Sequence, residues 1–364
     1  MTHRTVSALA ALTVTPLLLL AACAKKEEPA APAATTAAAN GPCELNLFIW
    51  SEYIDPDIIS NFEKEFSCKV TIDLYEDNES MMAKLQGGGS SLYDVAVPSQ
   101  YTIPVMVKLG LLAELRHENI PNIANLDPKF VDPVYDPGNR YSVGYQWGTV
   151  GIYLRRKPGK EIDETWGLLF DKSKQYGSFL LLDDLRGMMG AAASYLGQDI
   201  NTVDPDEVRA QIATLGEAKR RSQGFEGGVG GKNKVLGKAV DAAVVYNGDA
   251  VRGMTDDPET YYFVPREGGD LWVDNLVIPV GAPHRDAAEK FINYILDAKV
   301  GAQLSNFNQY ATPNKAAREF ISEEDLANPA IYPSPEMMSK LQFVNDLGDN
   351  NRLYDEAWTQ VKSR

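Results

Sequence analysis

Trp50, Ser51, Glu52 and Tyr53 stand at and just beyond the end of an apolar run, LNLFIW. Ser99 and Tyr101 follow a second run, and Asp183, Asp184, Tyr246 and Asp249 follow later ones, while Trp272 and Asp274 stand just before the run NLVIPV. The set consists of aromatics, hydroxyls and carboxylates, with no lysine, arginine or histidine among them. Carboxylates grip ammonium groups and aromatic faces cover methylene chains, so these residues suit a flexible organic dication. One charge-assisted hydrogen bond contributes about 1.5 to 3 kcal/mol net, and a cation over a ring about 0.5 to 2 kcal/mol. Two acids and an aromatic wall therefore reach the roughly 8 kcal/mol of micromolar binding. An anionic solute would call for arginine or helix amides instead. Singly, each residue has a plainer explanation. A Trp or Tyr after a strand commonly fills core, Asp183 and Asp184 would cap a helix, and Asp249 would belong to a turn with Gly248. Their joint placement carries the expectation.

The elements that must position them alternate in type. LNLFIW is followed by a helical stretch over 56–66, a second run KVTIDLY, a helix opening near Asn78, and a third run YDVAVPS. The later half repeats the style with GSFLLLDD, a helix capped by Asp204 that runs from Pro205 to about Arg220, AAVVYNGD and NLVIPV. Strands alternating with helices argue for an α/β protein with doubly wound parallel sheet. Ligands of such sheets lie beyond the carboxyl ends of the strands, where the residues above stand. Cys43 and Cys68 both sit at strand starts, and neighbouring first and second strands would bring them within bridging distance, so a disulfide between them is expected. GFEGGVGGKNK tempts a phosphate-loop reading, but Glu226 replaces the first required glycine and Asn233 the Ser/Thr. It reads as a flexible surface loop.

With 364 residues the chain exceeds the size at which one core usually divides, so two lobes are expected. Its formal charge of −15, from 35 Lys+Arg against 50 Asp+Glu, repels nucleic acid and attracts cations. Residues 1–22 carry Arg4 and an apolar run too short to span a bilayer, and read as a signal peptide. Leu20-Ala21-Ala22-Cys23 resembles the bacterial lipoprotein processing box, in which the cysteine is lipidated. The stretch 23–42, rich in Ala, Pro and Thr, reads as a tether. His3 falls in the signal segment, and His117 and His284 sit in polar, loop-like surroundings as surface residues. No spare cysteine or clustered set of His and Cys offers nucleophilic or zinc chemistry. Paired carboxylates leave a glycosidase-like reaction as the one enzymatic alternative.

FIWSEYIDPDIISNFEKEF, YEDNESMMAKL, YDVAVPSQY, YQWGTVGI, REGGDLWVDNLVIP and YATPNKAA, in this order, resemble the periplasmic spermidine/putrescine-binding proteins from about Leu45 to the C-terminus. The resemblance implies a two-lobed periplasmic binding protein fold of type II, each lobe a doubly wound mixed sheet joined by hinge crossovers. Lobe 1 would comprise 43–148 plus 274–317, and lobe 2 149–273 plus 318–364. By matched position, Trp50, Tyr53, Tyr101 and Trp272 look like an aromatic box, and Ser51 and Ser99 like hydroxyl contacts. Asp274 looks like the acid that grips one ammonium, Asp249 like a second acid at that end in putrescine-preferring members, and Asp184 like an acid from the other lobe. Tyr310 looks like a cleft tyrosine, and Tyr246 stands where the family has tryptophan.

There are departures. Gly187 stands where spermidine-binding relatives carry Glu, and Val344 where some members carry Gln, with Gln342 nearby. Asp249 present and Gly187 in place of Glu tilt the expectation toward putrescine over spermidine. The implied role is the solute-binding protein of an ABC importer that delivers a polyamine to a membrane permease. The alternative is a sensing lipoprotein that docks on a signalling receptor, and another organic amine such as agmatine would keep Asp274 and Trp272. No enzyme activity, cofactor, metal or nucleic-acid partner is expected. The chain should be a monomer that meets the membrane only through its anchor, in the periplasm or cell envelope.

Overall fold

The computed structural model describes residues 42–363. The expected leader peptide and Cys23, with nearly all of the tether, lie outside the described residues.

CELNLFIW, alternating over its first five residues and continuously apolar over its last four, forms strand β1 (Cys43–Trp50), which pairs in parallel with β2 (Cys68–Tyr75) and β3 (Val95–Ala96). The helix between β1 and β2, Pro56–Phe66, has Asp55 as N-cap, proline in its first turn and Ser67 in the left-handed region at its end. Its buried stripe of Ile58, Ile59 and Phe62 covers the sheet. Cys43 and Cys68 are direct register partners and form a disulfide, with Cα atoms 4.3 Å apart.

A second parallel group consists of β5 (Phe179–Leu182), β6 (Phe225–Glu226) and β7 (Ala242–Tyr246). Two antiparallel strands, β4 (Ser142–Arg155) and β9 (Gly269–Val277), run between the two groups. The order is β2-β1-β3-β9-β4-β7-β5-β6, with β8 (Thr260–Phe263) on β4 and β10 (Leu341–Phe343) on β9. β4 pairs with β9 through Thr149 and with β7 from Val150 onward.

The expected parallel α/β groups are therefore present within a mixed sheet, and three readings of local structure need correction. β4 was not expected as a strand. The run read from Asn275 begins six residues earlier, the strand's apolar character being interrupted by Asp270 and Asp274, so Trp272 and Asp274 lie inside β9 and not before it. The glycine-rich segment read as a surface loop contains a helix, Gly228–Leu236, that buries Gly228, Gly231, Lys232 and Val235. Glycine costs a helix about 1 kcal/mol per residue relative to alanine, but here packing requires it. A Cβ on Gly228 would lie 2.7 Å from both Asp249 Oδ2 and Tyr246 Cδ2.

Candidate ligand-binding site

One cavity is lined by Trp50, Ser51, Tyr53, Ser99, Tyr101, Asp184, Tyr246, Asp249, Trp272, Asp274 and Tyr310, the whole set of ligand contacts expected from the sequence. It encloses about 750 Å³, its opening to solvent included. The carboxyl ends of β1, β5 and β7 deliver Trp50, Asp184 and Tyr246, as the strand-end rule anticipates. Tyr53 follows a turn in which Glu52 has φ 50°. Tyr310 follows the helix Ala298–Asn308 through Gln309 at φ 61°, and the Trp147 amide holds the Ala311 carbonyl at 3.0 Å.

Asp274 is buried, and its two oxygens accept from Tyr53 Oη at 2.8 Å and Ser99 Oγ at 2.6 Å. Burial pushes its carboxyl up to about 7, against the lowering effect of those two bonds. Asp184 does two jobs. Its Oδ1 caps the helix Leu185–Leu196 by accepting from the Gly187 amide at 2.5 Å, and its Oδ2 accepts from Tyr246 Oη at 3.0 Å. It thus caps the helix and lines the cavity at once. Burial holds its carboxyl above the ordinary range.

The aromatic residues touch edge to face in a chain: Trp50 to Tyr246 at 6.5 Å, Tyr246 to Trp272 at 5.9 Å, Trp272 to Tyr310 at 5.3 Å and Tyr310 to Tyr53 at 5.3 Å between centroids. Such geometry rigidifies a wall that can cover an alkyl chain. The Trp272 ring lies across Gly148, its partner on β4, where a Cβ would come within 2.6 Å of Cζ2. Tyr101 stands apart from this chain, with its hydroxyl on Asn78 Nδ2 at 3.1 Å and the Arg186 guanidinium 5.5 Å from its ring.

The expectation of a wall free of basic residues needs correction. Arg186 lines the cavity. Asp249, in the first turn of the helix Asn247–Asp256 and not in a turn with Gly248, is buried and accepts from Arg252 Nη2 at 2.6 Å. Burial raises its carboxyl, against the charges of Arg252 and Lys232. Glu52 Oε2 accepts from Lys232 Nζ at 3.0 Å and from Arg252 Nη2 at 3.1 Å. Burial alone would raise the Glu52 carboxyl, yet these two cations hold it below its ordinary range. Long side chains reached the site from helices whose sequence positions gave no sign of it.

Asp183 stands at the rim, exposed and paired with Lys362 at 2.6 Å. Val344 lines the cavity with an apolar group, and Gln342 is absent from the lining. His117 is exposed, but His284 is half-buried, with Nδ1 3.0 Å from Asp94 Oδ2. Asp270 is a lining residue that the sequence reading missed. Its signal was the period-two spacing Asp270, Trp272, Asp274, which puts three side chains on one face of β9. Among the described residues no group of three or more His, Cys, Asp or Glu is arranged to hold a metal ion, and no helix is long and apolar enough to cross a membrane.

A fold of two parallel groups linked by antiparallel strands, with one acidic and aromatic cavity, defines a solute-binding protein. The family model for bacterial extracellular solute-binding proteins matches residues 57–333, and the chain belongs to that family. Its architecture is the two-lobed periplasmic binding protein fold, and the family is one of binding proteins, not enzymes, so the glycosidase alternative falls away. The chain is 33% identical over 321 residues to the spermidine/putrescine-binding periplasmic protein of Salmonella typhimurium, covering 88% of this chain and 91% of that one. It is 31% identical over 334 residues to the putrescine/cadaverine-binding protein of Pseudomonas aeruginosa, covering 88% and 94%. The solved structure of the spermidine/putrescine ABC transporter substrate-binding protein PotD from Streptococcus pneumoniae superposes with TM-score 0.74 at 30% identity, covering 88% of this chain and 99% of that one.

Proposed function

We propose that this chain is the solute-binding protein of an ABC importer, capturing a polyamine in the cavity and delivering it to a membrane permease. The observation that carries the reading is the joint presence of buried acids, Asp274 foremost, and an edge-to-face aromatic wall around one space. The names of the relatives support the same class of solute. Asp274 takes one ammonium, with Ser99 and Tyr53 holding its carboxylate in place. Trp50, Tyr53, Tyr246, Trp272 and Tyr310 cover the methylene chain, Tyr101 and Ser51 contribute at the edge, and Asp184 acts from the facing wall. Asp249, its charge already met by Arg252, is a weaker contact. Gly187, where spermidine-binding relatives carry an acid, favours putrescine over spermidine.

The domain reading keeps 43–148 plus 274–317 as one lobe and 149–273 plus 318–364 as the other. The exchange of partners along β4 after Thr149 supports that boundary. Closure of the two lobes over the ligand would present the loaded form to the permease. Residues 1–22 act as the signal peptide and Cys23 as the lipid anchor, holding a monomer in the periplasm or cell envelope.

Titration of ligand-stripped protein with putrescine, cadaverine, agmatine, spermidine and spermine tests the solute, with putrescine expected tightest. Absence of heat from all five would overturn the reading. Cellular uptake of labelled putrescine should fall when the chain is deleted, whereas unchanged uptake would favour the signalling role. Replacing Cys23 with Ala should move the protein from the membrane to the soluble fraction.

A further inference from the structure

Asp270 is 3% exposed, and its Oδ1 is sealed from solvent and accepts no hydrogen bond. Two residues along β9, Trp272 is 7% exposed with Nε1 equally without a partner. Buried polar groups are paired in most folds because an unpaired one costs about 1 to 3 kcal/mol, more when charged. Both side chains line the cavity, which is the open space beside them from which a partner would come. Three of the other acids in the lining are already engaged: Asp274 by Tyr53 and Ser99, Asp184 by Gly187 and Tyr246, Asp249 by Arg252. Asp270 is the buried acid whose accepting capacity stands open, whereas Glu76, which lines the same cavity without a side-chain hydrogen bond, is exposed.

Asp270 and Asp274 lie four residues apart on one strand, hence about 13 Å apart at about 3.3 Å per residue. An extended four-carbon diamine separates its nitrogens by roughly 6 Å at single-bond lengths of about 1.5 Å. A hydrogen bond of about 2.8 Å at each end brings the span to about 12 Å.

We propose that Asp270 is the second ammonium-binding residue of the cavity and sets ligand length: a diamine of four or five carbons lies along β9 with one end on Asp274, the other on Asp270, and Trp272 between. This deepens the polyamine reading and rests on it. The alternative partner for Asp270 is Arg186, which lines the same cavity and whose buried Nε also lacks a partner. In that case the acid would be structural.

The test is titration of the full mature chain, unmodified and as Asp270→Asn, with 1-aminobutane, 1,3-diaminopropane, putrescine, cadaverine and 1,7-diaminoheptane, beside thermal melts of the ligand-free forms at pH 8. The unmodified protein should prefer the four- and five-carbon diamines over the three- and seven-carbon ones. Asp270→Asn should weaken putrescine tenfold or more, the loss of one charge-assisted contact, leave 1-aminobutane within about twofold, and raise the melting temperature of the free protein. Unchanged putrescine affinity in the variant overturns the proposal while leaving the polyamine reading intact. So does a lowered melting temperature with equal losses for monoamine and diamine. Should the variant not fold, a flat length profile in the unmodified protein overturns it. Failure of the unmodified protein to bind any diamine overturns the polyamine reading itself.

Discussion

Tyr53 donates its hydroxyl proton to Asp274 Oδ2 across 2.8 Å, joining the turn after β1 to the middle of β9 over 221 residues of sequence. With Ser99 on the other oxygen, the carboxylate is oriented before any ligand arrives. Replacing Tyr53 with Phe removes one of the two bonds and should weaken putrescine about fivefold, the equivalent of about 1 kcal/mol. Calorimetric titration of the variant checks this, and an unchanged Kd would show that Asp274 needs no such support.

Protonation should control binding near neutrality. Burial raises the carboxyls of both Asp274 and Asp270 to about 7, with the charge of Asp184 adding to the rise in each and Arg186 opposing it at Asp270. A diammonium ligand binds the anionic form. Affinity should therefore fall as pH drops from 8 to 6, about tenfold for each acid that must ionise, with protons released on binding at pH 7. Titrations at the two pH values, repeated in buffers of different ionisation enthalpy, read both effects.

The same shifts make an opposite prediction for the empty protein. The folded values lie above the ordinary Asp value of about 3.9, so these acids add stability that is fully present below about pH 4 and lost as pH rises through about 7. The ligand-free melting temperature should decline across that window from these two groups, and saturating putrescine should flatten the decline. Melts of Asp274→Asn, which lacks one titrating group, should show a smaller decline than the unmodified protein.

Gly148 is a steric requirement of the aromatic wall. A Cβ there would meet Asn247 Oδ1 at 2.1 Å and Trp272 Cζ2 at 2.6 Å. Asn247 Oδ1 already accepts from the Thr149 amide at 3.0 Å. Gly148→Ala should cost about 1 to 3 kcal/mol of stability by overpacking and weaken diamine binding further by displacing the Trp272 ring. Denaturant melts and titration separate the two losses.

The Cys43–Cys68 bridge sits at the opposite ends of β1 and β2 from Trp50 and Tyr75. Replacing both cysteines with Ser should lower stability by about 3 kcal/mol for a loop of this length and leave putrescine affinity unchanged. Lost affinity in a folded variant would place the bridge in the binding machinery.

Local patterns carried a large part of this in the sequence, for identifiable reasons. The first two strands, their crossover helix and the disulfide follow from alternating apolar runs, a capped proline-led helix and two cysteines at matching strand starts. The strand-end rule together with the family resemblance gathered Trp50, Ser99, Asp184 and Tyr246, which line one cavity. What failed were features settled by packing. β9 hid Asp270 because polar residues facing a cavity broke the apolar run that marks a strand. The helix Gly228–Leu236 contradicts its own glycine-rich composition because only glycine admits Asp249 and Tyr246 so close. Arg252 and Lys232 reach Glu52 on long side chains from helices, which no spacing rule foresees.

The central claim is that the cavity recognises a cation at each end of a short alkyl chain. Titrating ligand-stripped protein with putrescine and with 4-aminobutyrate tests it most directly, since the two ligands differ at one end only. Putrescine should bind with micromolar or tighter affinity and 4-aminobutyrate at least a hundredfold more weakly, because its carboxylate would face a buried acid. Equal affinities, or a preference for 4-aminobutyrate, would contradict the account.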